Sequence, residues 1–262
     1  NEYENNVNNN WYTNLLAQWT LRYAAESIAF VKASHPQRYA EISAKVAFKE
    51  DELAAWADVA DKIVLPADEE TGVFIQHDGF MDKDLTPMSQ IPAGEYPINQ
   101  HWSWDRILRS CYIKQADVLQ GLYMFEDRFD KDTLRRNFDF YEPLTVHESS
   151  LSPCIHSILA SSLGYEDRAY AFYLRTARLD LDDYNNDTED GLHITSMAGT
   201  WMSVVEGFGG VRVRDGKLSM KPWLPKQWQS YSFRIFFRGA HLRVEVKPGE
   251  IVVNNESDVA TE

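Results

Sequence analysis

Residues 195–221 read TSMAGTWMSVVEGFGGVRVRDGKLSMK, and the period of the chain changes inside them. Up to Glu206 the pattern is that of a helix rich in small residues. Gly207, Gly209 and Gly210 interrupt it, and apolar and polar residues alternate from there on. Arg214-Asp215-Gly216 then separates two short alternating runs. Asp-Gly is a strong hairpin signal, because both residues tolerate a positive φ. The stretch therefore predicts a helix over Thr195–Glu206 that stops at Gly207, then strands over Gly209–Val213 and Lys217–Lys221. The two-residue period continues in Ser232–Arg238, His241–Lys247 and Glu250–Asn254. Short alternating strands with tight turns predict a small antiparallel sheet or sandwich.

Towards the N-terminus the helical period dominates. Leu15, Leu16, Trp19, Tyr23, Ile28 and Val31 predict a helix over Trp11–Lys32. Others are predicted over Gln37–Val46 after Pro36, and over Glu50–Val59 with acidic residues in its first turn. Residues 64–100 hold Pro66, Gly72, Gly79, Pro87, Pro92, Gly94 and Pro97 and read as a long irregular excursion. Helices resume over Trp104–Phe125 and Lys131–Tyr141. One from Ser152, its expected N-cap, to Gly164 follows, then one over Asp167–Leu179. The fold class expected is mainly α. An all-α domain of paired helices fills 1–207, in a rhythm that suits an (α/α) barrel, and a small β domain fills 208–262.

The chain has 262 residues, 44% of them apolar, enough for a sizeable core. Acidic residues number 40 and basic ones 26, a net charge of −14. Such a field argues against nucleic acid or an anionic membrane as partner, so any bound anion needs a local device. Cys111 and Cys154 are too few for a disulfide framework or a thiolate metal cluster and suit a reducing, cytoplasmic compartment. No apolar run reaches the roughly 18 residues of a membrane span, and no signal-peptide pattern is visible. The chain begins Asn-Glu-Tyr without a Met, and we expect it to be one piece of a longer polypeptide.

Four clusters carry chemistry. NEYENNVNNNWYTN (1–14) reads as a polar loop leading into a helix capped by Asn9 or Asn10. It also suits a sugar site, where amides bind hydroxyls, rings stack on sugar faces and a carboxyl supplies a proton. Lys114 and Gln115 interrupt an apolar helix, either snorkelling to solvent or pointing into a cavity. TVHESSLSPCIHS (145–157) gathers hydroxyls and backbone N–H groups at a helix start, a ready place for an anion. GLHITSMAGTW (191–201) sets His193, Thr195 and Ser196 before a helix, as a structural turn or as donors to the same anion. No HExxH, GxSxG or ordered GxGxxG occurs.

Together the blocks NEYENNVNNNWYTN, YIKQADVL, TVHESSLSPCIHS, LDLDDYNND and GLHITSMAGTWMSVVEGFGG resemble the disaccharide phosphorylases of glycoside hydrolase family 65, in order and over nearly the whole chain. The resemblance implies the second part of an (α/α)6 barrel over 1–207, then the family's C-terminal β domain. The family's N-terminal sandwich and early barrel helices are not among these residues. It implies Glu2 as general acid, Lys114 and Gln115 as contacts of the glucosyl unit, and Ser149, Ser150 and, less directly, His193 as phosphate ligands. It implies inverting phosphorolysis of an α-linked glucose disaccharide, maltose foremost, to β-glucose 1-phosphate and glucose. The resemblance implies no metal or organic cofactor, inorganic phosphate as a substrate, and a homodimer for the parent enzyme.

The chemistry is coherent. An inverting hydrolase needs an acid and a base that activates water. Phosphate is already a nucleophilic anion, so the base gives way to an anion cradle. Glu2 is expected to have a raised pKa, to stay protonated near neutral pH. Two alternatives stand beside this. One is an inverting hydrolase with Glu148 as base opposite Glu2. The other is a non-catalytic fragment, and the 262-residue chain alone is expected to be weakly active or inactive.

Overall fold

A computed structural model describes residues 1–260. Eleven helices run through the first part: α1 (Trp11–Ser34), α2 (Pro36–Val46), α3 (Asp51–Lys62), α4 (Ile98–His101), α5 (Trp104–Arg109), α6 (Val118–Met124), α7 (Lys131–Tyr141), α8 (Ser152–Leu163), α9 (Glu166–Ala177), α10 (Leu179–Asp182) and α11 (Ile194–Met202). Local chemistry sets many of their ends. Asn10 caps α1 by accepting from the Thr13 N–H at 2.9 Å, and Asp130 caps α7 by accepting from Thr133. Gly164 closes α8 in the left-handed conformation, at φ 82°. Ser152 is the first residue of α8 rather than its cap; Leu151 holds the cap position, with no side-chain acceptor. Residues 64–97 form an excursion of short turns, pinned by a bridge between Ala67 and Phe74.

Two departures from the sequence reading matter. The helix expected over Trp104–Phe125 is two helices, α5 and α6, separated by an irregular segment that carries Lys114 and Gln115. Long-range bonds outcompete the helix there. Ile113 donates to the Leu144 carbonyl at 3.0 Å and accepts from the Val146 N–H at 2.9 Å. Lys83 holds the carbonyls of Leu108 and Ser110. The last helix does not stop at Gly207. It continues from α11 as a wider turn over Ser203–Phe208, in which Gly209 N–H reaches Val204 O. That carries Phe208, fully buried, into a ring cluster with Tyr173, Trp223 and Trp228.

The central layer is α8, flanked by α6, α7, α9 and α11. Gly199 lets α11 approach α8, since a Cβ there would lie 2.9 Å from Cys154 Cβ. Trp11, Phe80, Phe138, Leu122, Ile158 and Tyr141 are fully buried. After the helices come a hairpin, β1 (Arg212–Arg214) and β2 (Lys217–Ser219), and an antiparallel sheet in the order β3 (Tyr231–Phe237), β4 (Ala240–Lys247), β5 (Glu250–Asn255). The first hairpin turns on Asp215 and Gly216, both at positive φ, with Arg214 opposite Lys217. On β4, Ala240, Leu242, Val244 and Val246 alternate inward. Among the described residues no helix is long and apolar enough to cross a membrane.

Candidate active site

The irregular segment before α1 is held in place by its own polar side chains. Asn1 Oδ1 accepts from the backbone N–H groups of Tyr3 and Lys114, each at 3.1 Å, and so ties the segment to the irregular stretch between α5 and α6. Glu4 lies behind it, paired with Lys83 and 3.2 Å from His77 Nε2. Nδ1 of His77 faces the Asp78 carbonyl at 2.8 Å. Two oxygen acceptors on one ring favour its doubly protonated form. Burial alone would lower His77 and raise Glu4, yet their mutual contact prevails: His77 is raised and Glu4, with Lys83 also donating to it, is lowered.

On this support Glu2, Lys114 and Gln115 meet. Lys114 Nζ lies 2.5 Å from Glu2 Oε2, and Gln115 Nε2 donates to Glu2 Oε1 at 3.2 Å. The Gln115 side-chain Oε1 accepts from the Glu2 N–H at 3.4 Å. The Glu2 side chain is 56% exposed, so a ligand can reach it. The expected raised pKa is reversed. The Lys114 ammonium holds the Glu2 carboxyl below its ordinary range, against the effect of burial.

Tyr3, beside Glu2, turns inward, edge-on to Trp104 and 1% exposed. Its hydroxyl donates to Glu148. Burial, reinforced by that carboxylate, pushes the Tyr3 phenol well above its ordinary range. Glu148 also accepts from the N–H groups of Ile98 (2.6 Å) and Asn99 (3.4 Å) at the start of α4. Glu148 is 7% exposed and committed to structural bonds. These bonds weigh against the alternative that makes Glu148 a base opposite Glu2.

The hydroxyl-rich turn begins at His147, whose φ is +56°. His147 is buried against His156 and Phe172, and burial holds it well below the usual imidazole range. Ser149 Oγ accepts from the Leu151 N–H at 3.2 Å. Ser150 Oγ meets Thr195 Oγ1 at 2.6 Å, joining this turn to the start of α11. Thr195, rather than His193, makes that junction. His193 is fixed by Asp180, which lies 2.6 Å from Nδ1 and accepts the backbone N–H at 2.9 Å, while Nε2 faces Asp187 at 3.5 Å. The His193 hydrogen bond lowers the Asp180 pKa. Sequence reasoning passed over Tyr3 and Arg175. Tyr3 had a signal, standing beside Glu2; Arg175 had none, one of two arginines on α9.

The model for the glycosyl hydrolase family 65 central catalytic domain matches residues 1–202, and that for the family's C-terminal domain matches residues 211–262. The chain is 51% identical to a maltose phosphorylase of Bacillus subtilis (strain 168), over 96% of this chain and 32% of that protein. It is 42% identical to an alpha,alpha-trehalose phosphorylase of Thermoanaerobacter brockii, again over 96% of this chain and 32% of that one. A solved structure from the human microbiome, provisionally described as a kojibiose phosphorylase, superposes with a TM-score of 0.89 at 39% identity. The match covers 98% of this chain and 35% of that one, and it fits the helices as part of an (α/α) barrel. The chain thus spans about a third of the length of these relatives.

Proposed function

Because the chain belongs to glycoside hydrolase family 65, we propose that it carries the acid and phosphate sides of an inverting disaccharide phosphorylase. Maltose is the substrate put forward first, on the 51% identity to a maltose phosphorylase; trehalose and kojibiose phosphorylases stand nearby. The observation that supports this most is the Tyr3–Glu148 bond. It joins the segment of Glu2 to the turn of Ser149 and Ser150, which supports reading the accessible carboxyl and the hydroxyl-lined turn as one site.

In this reading Glu2 protonates the glycosidic oxygen while phosphate attacks the anomeric carbon from the opposite face. The new bond joins a phosphate oxygen to that carbon with inversion, and the proton from Glu2 leaves with glucose. Lys114 and Gln115 bind the glucosyl unit. A bound sugar buries the Glu2 carboxyl and competes for the Lys114 ammonium, and both changes raise the carboxyl pKa towards what an acid catalyst needs. Ser149, Ser150, the first N–H groups of α8 and, at greater remove, His193 receive the phosphate. The two cysteines, both buried and unpaired, suit a reducing compartment.

Glu2→Gln tests the reading. In the polypeptide that carries residues 1–262, turnover falls roughly 10²–10⁴-fold while the fold persists. Retained turnover removes Glu2 from the role. Ser149→Ala with Ser150→Ala raises the phosphate requirement more than the disaccharide requirement; an unchanged phosphate dependence moves the cradle elsewhere.

A further inference from the structure

Among the described residues Arg175 is a guanidinium without an ion-pair partner. It lies on α9 with its Nη2 donating to the His147 carbonyl at 3.1 Å. Its Nε is buried and has no hydrogen-bond partner. The guanidinium lies 5.3 Å from the centre of the Tyr184 ring, in the acidic loop after α10. Among the described residues no carboxylate lies within 4 Å of it, although Glu148 acts on it from further away. Burial lowers its pKa, and arginine stays charged nonetheless. Other arginines of this chain, such as Arg168, Arg178 and Arg212, sit on carboxylates. A half-buried cation left without one is costly unless an anion arrives.

Its position gives that anion a place. The carbonyl it grips belongs to His147, the left-handed residue two positions before Ser149. That carbonyl bond fixes the entry to the hydroxyl turn, and the Ser150–Thr195 bond fixes its exit. We propose that Arg175 is a positioning residue for phosphate: it clamps the turn of Ser149 and Ser150 from α9 and supplies the positive charge that this acidic chain otherwise lacks there. The inference rests on the phosphorolysis reading and adds to it the residue that sets phosphate affinity.

The test uses Arg175→Gln and Arg175→Lys in the polypeptide carrying residues 1–262, with inorganic phosphate and maltose varied separately. The clamp predicts that Arg175→Gln raises the KM for phosphate roughly tenfold or more, as expected for loss of a charge-assisted interaction, and shifts the KM for maltose by about twofold at most. Arg175→Lys keeps the charge and loses the fork, so it falls between. Phosphate should also raise the melting temperature of the parent more than that of either variant. If Arg175→Gln is too unstable to assay, Arg175→Lys carries the comparison alone. Equal changes in both KM values, or none, overturn the inference and leave phosphorolysis standing. A parent that turns over without phosphate overturns phosphorolysis itself, and this inference with it.

Discussion

Glu148→Gln separates phosphorolysis from hydrolysis. The Glu148 carboxylate accepts from Tyr3 Oη on one side and from the Ile98 and Asn99 N–H groups on the other. An amide of the same shape has one oxygen; turned to keep Tyr3, it sets an NH₂ against the Ile98 N–H. Hydrogen bonds to a charged group contribute about 1.5–3 kcal/mol each, and one donor left unpaired in a site 7% exposed adds to the loss. We expect about 2–4 kcal/mol in all. At about 2–4 °C per kcal/mol for a chain of this size, the melting temperature should fall about 4–16 °C. With phosphate as nucleophile no base is removed, so kcat at saturating phosphate should stay within about tenfold of the parent. A hydrolytic base lost there would cost about 10²–10⁴-fold. Thermal melts and initial rates on one preparation decide it. An unchanged melting temperature with turnover reduced a hundredfold would refute the structural role and restore Glu148 as a base.

Three further perturbations follow from the geometry. The folded pKa of Glu4 lies below its unfolded value, so its stabilisation is present above about pH 4.3 and is lost as pH falls through the folded pKa; that of His77 lies above, so its part is full below about pH 6.5 and is lost as pH rises through the folded pKa. The melting temperature should therefore peak between those limits, and Glu4→Gln should flatten the profile; a profile unchanged by the substitution contradicts the pairing. Lys114→Met removes the main cause of the lowered Glu2 pKa, so the Glu2 carboxyl should titrate higher, read by ¹³C NMR with Glu2→Gln as the assignment control; a titration that stays put would remove Lys114 as the cause. Gly199→Ala drives a methyl against Cys154 and Thr176 and should cost about 1–3 kcal/mol in chemical denaturation, partly recovered by Cys154→Ala; a neutral Gly199→Ala would mean that α11 moves freely off α8.

Where order is local, the sequence displayed it. The apolar spacing of α1, the Asn10 cap, Gly164 and the Asp215-Gly216 turn are short-range devices, and each formed where its residues stand. The break between α5 and α6 was hidden, because its causes lie elsewhere: Ile113 pairs with the strand-like residues Leu144–Val146, and Lys83 reaches up from the excursion. The same holds for the site. The residue types of Glu2, Lys114 and Gln115 were readable, but the ammonium that lowers the Glu2 pKa stands 112 positions away. Glu148 was readable as a carboxylate set opposite Glu2, but its bonds to Tyr3 and Ile98 were not.

The most direct measurement of the central claim is ¹H NMR of the anomeric protons while the polypeptide carrying residues 1–262 acts on maltose, with and without inorganic phosphate. The account predicts β-glucose 1-phosphate and glucose in equal amounts when phosphate is present, and no turnover without it. Glucose released at the same rate in the absence of phosphate would contradict it.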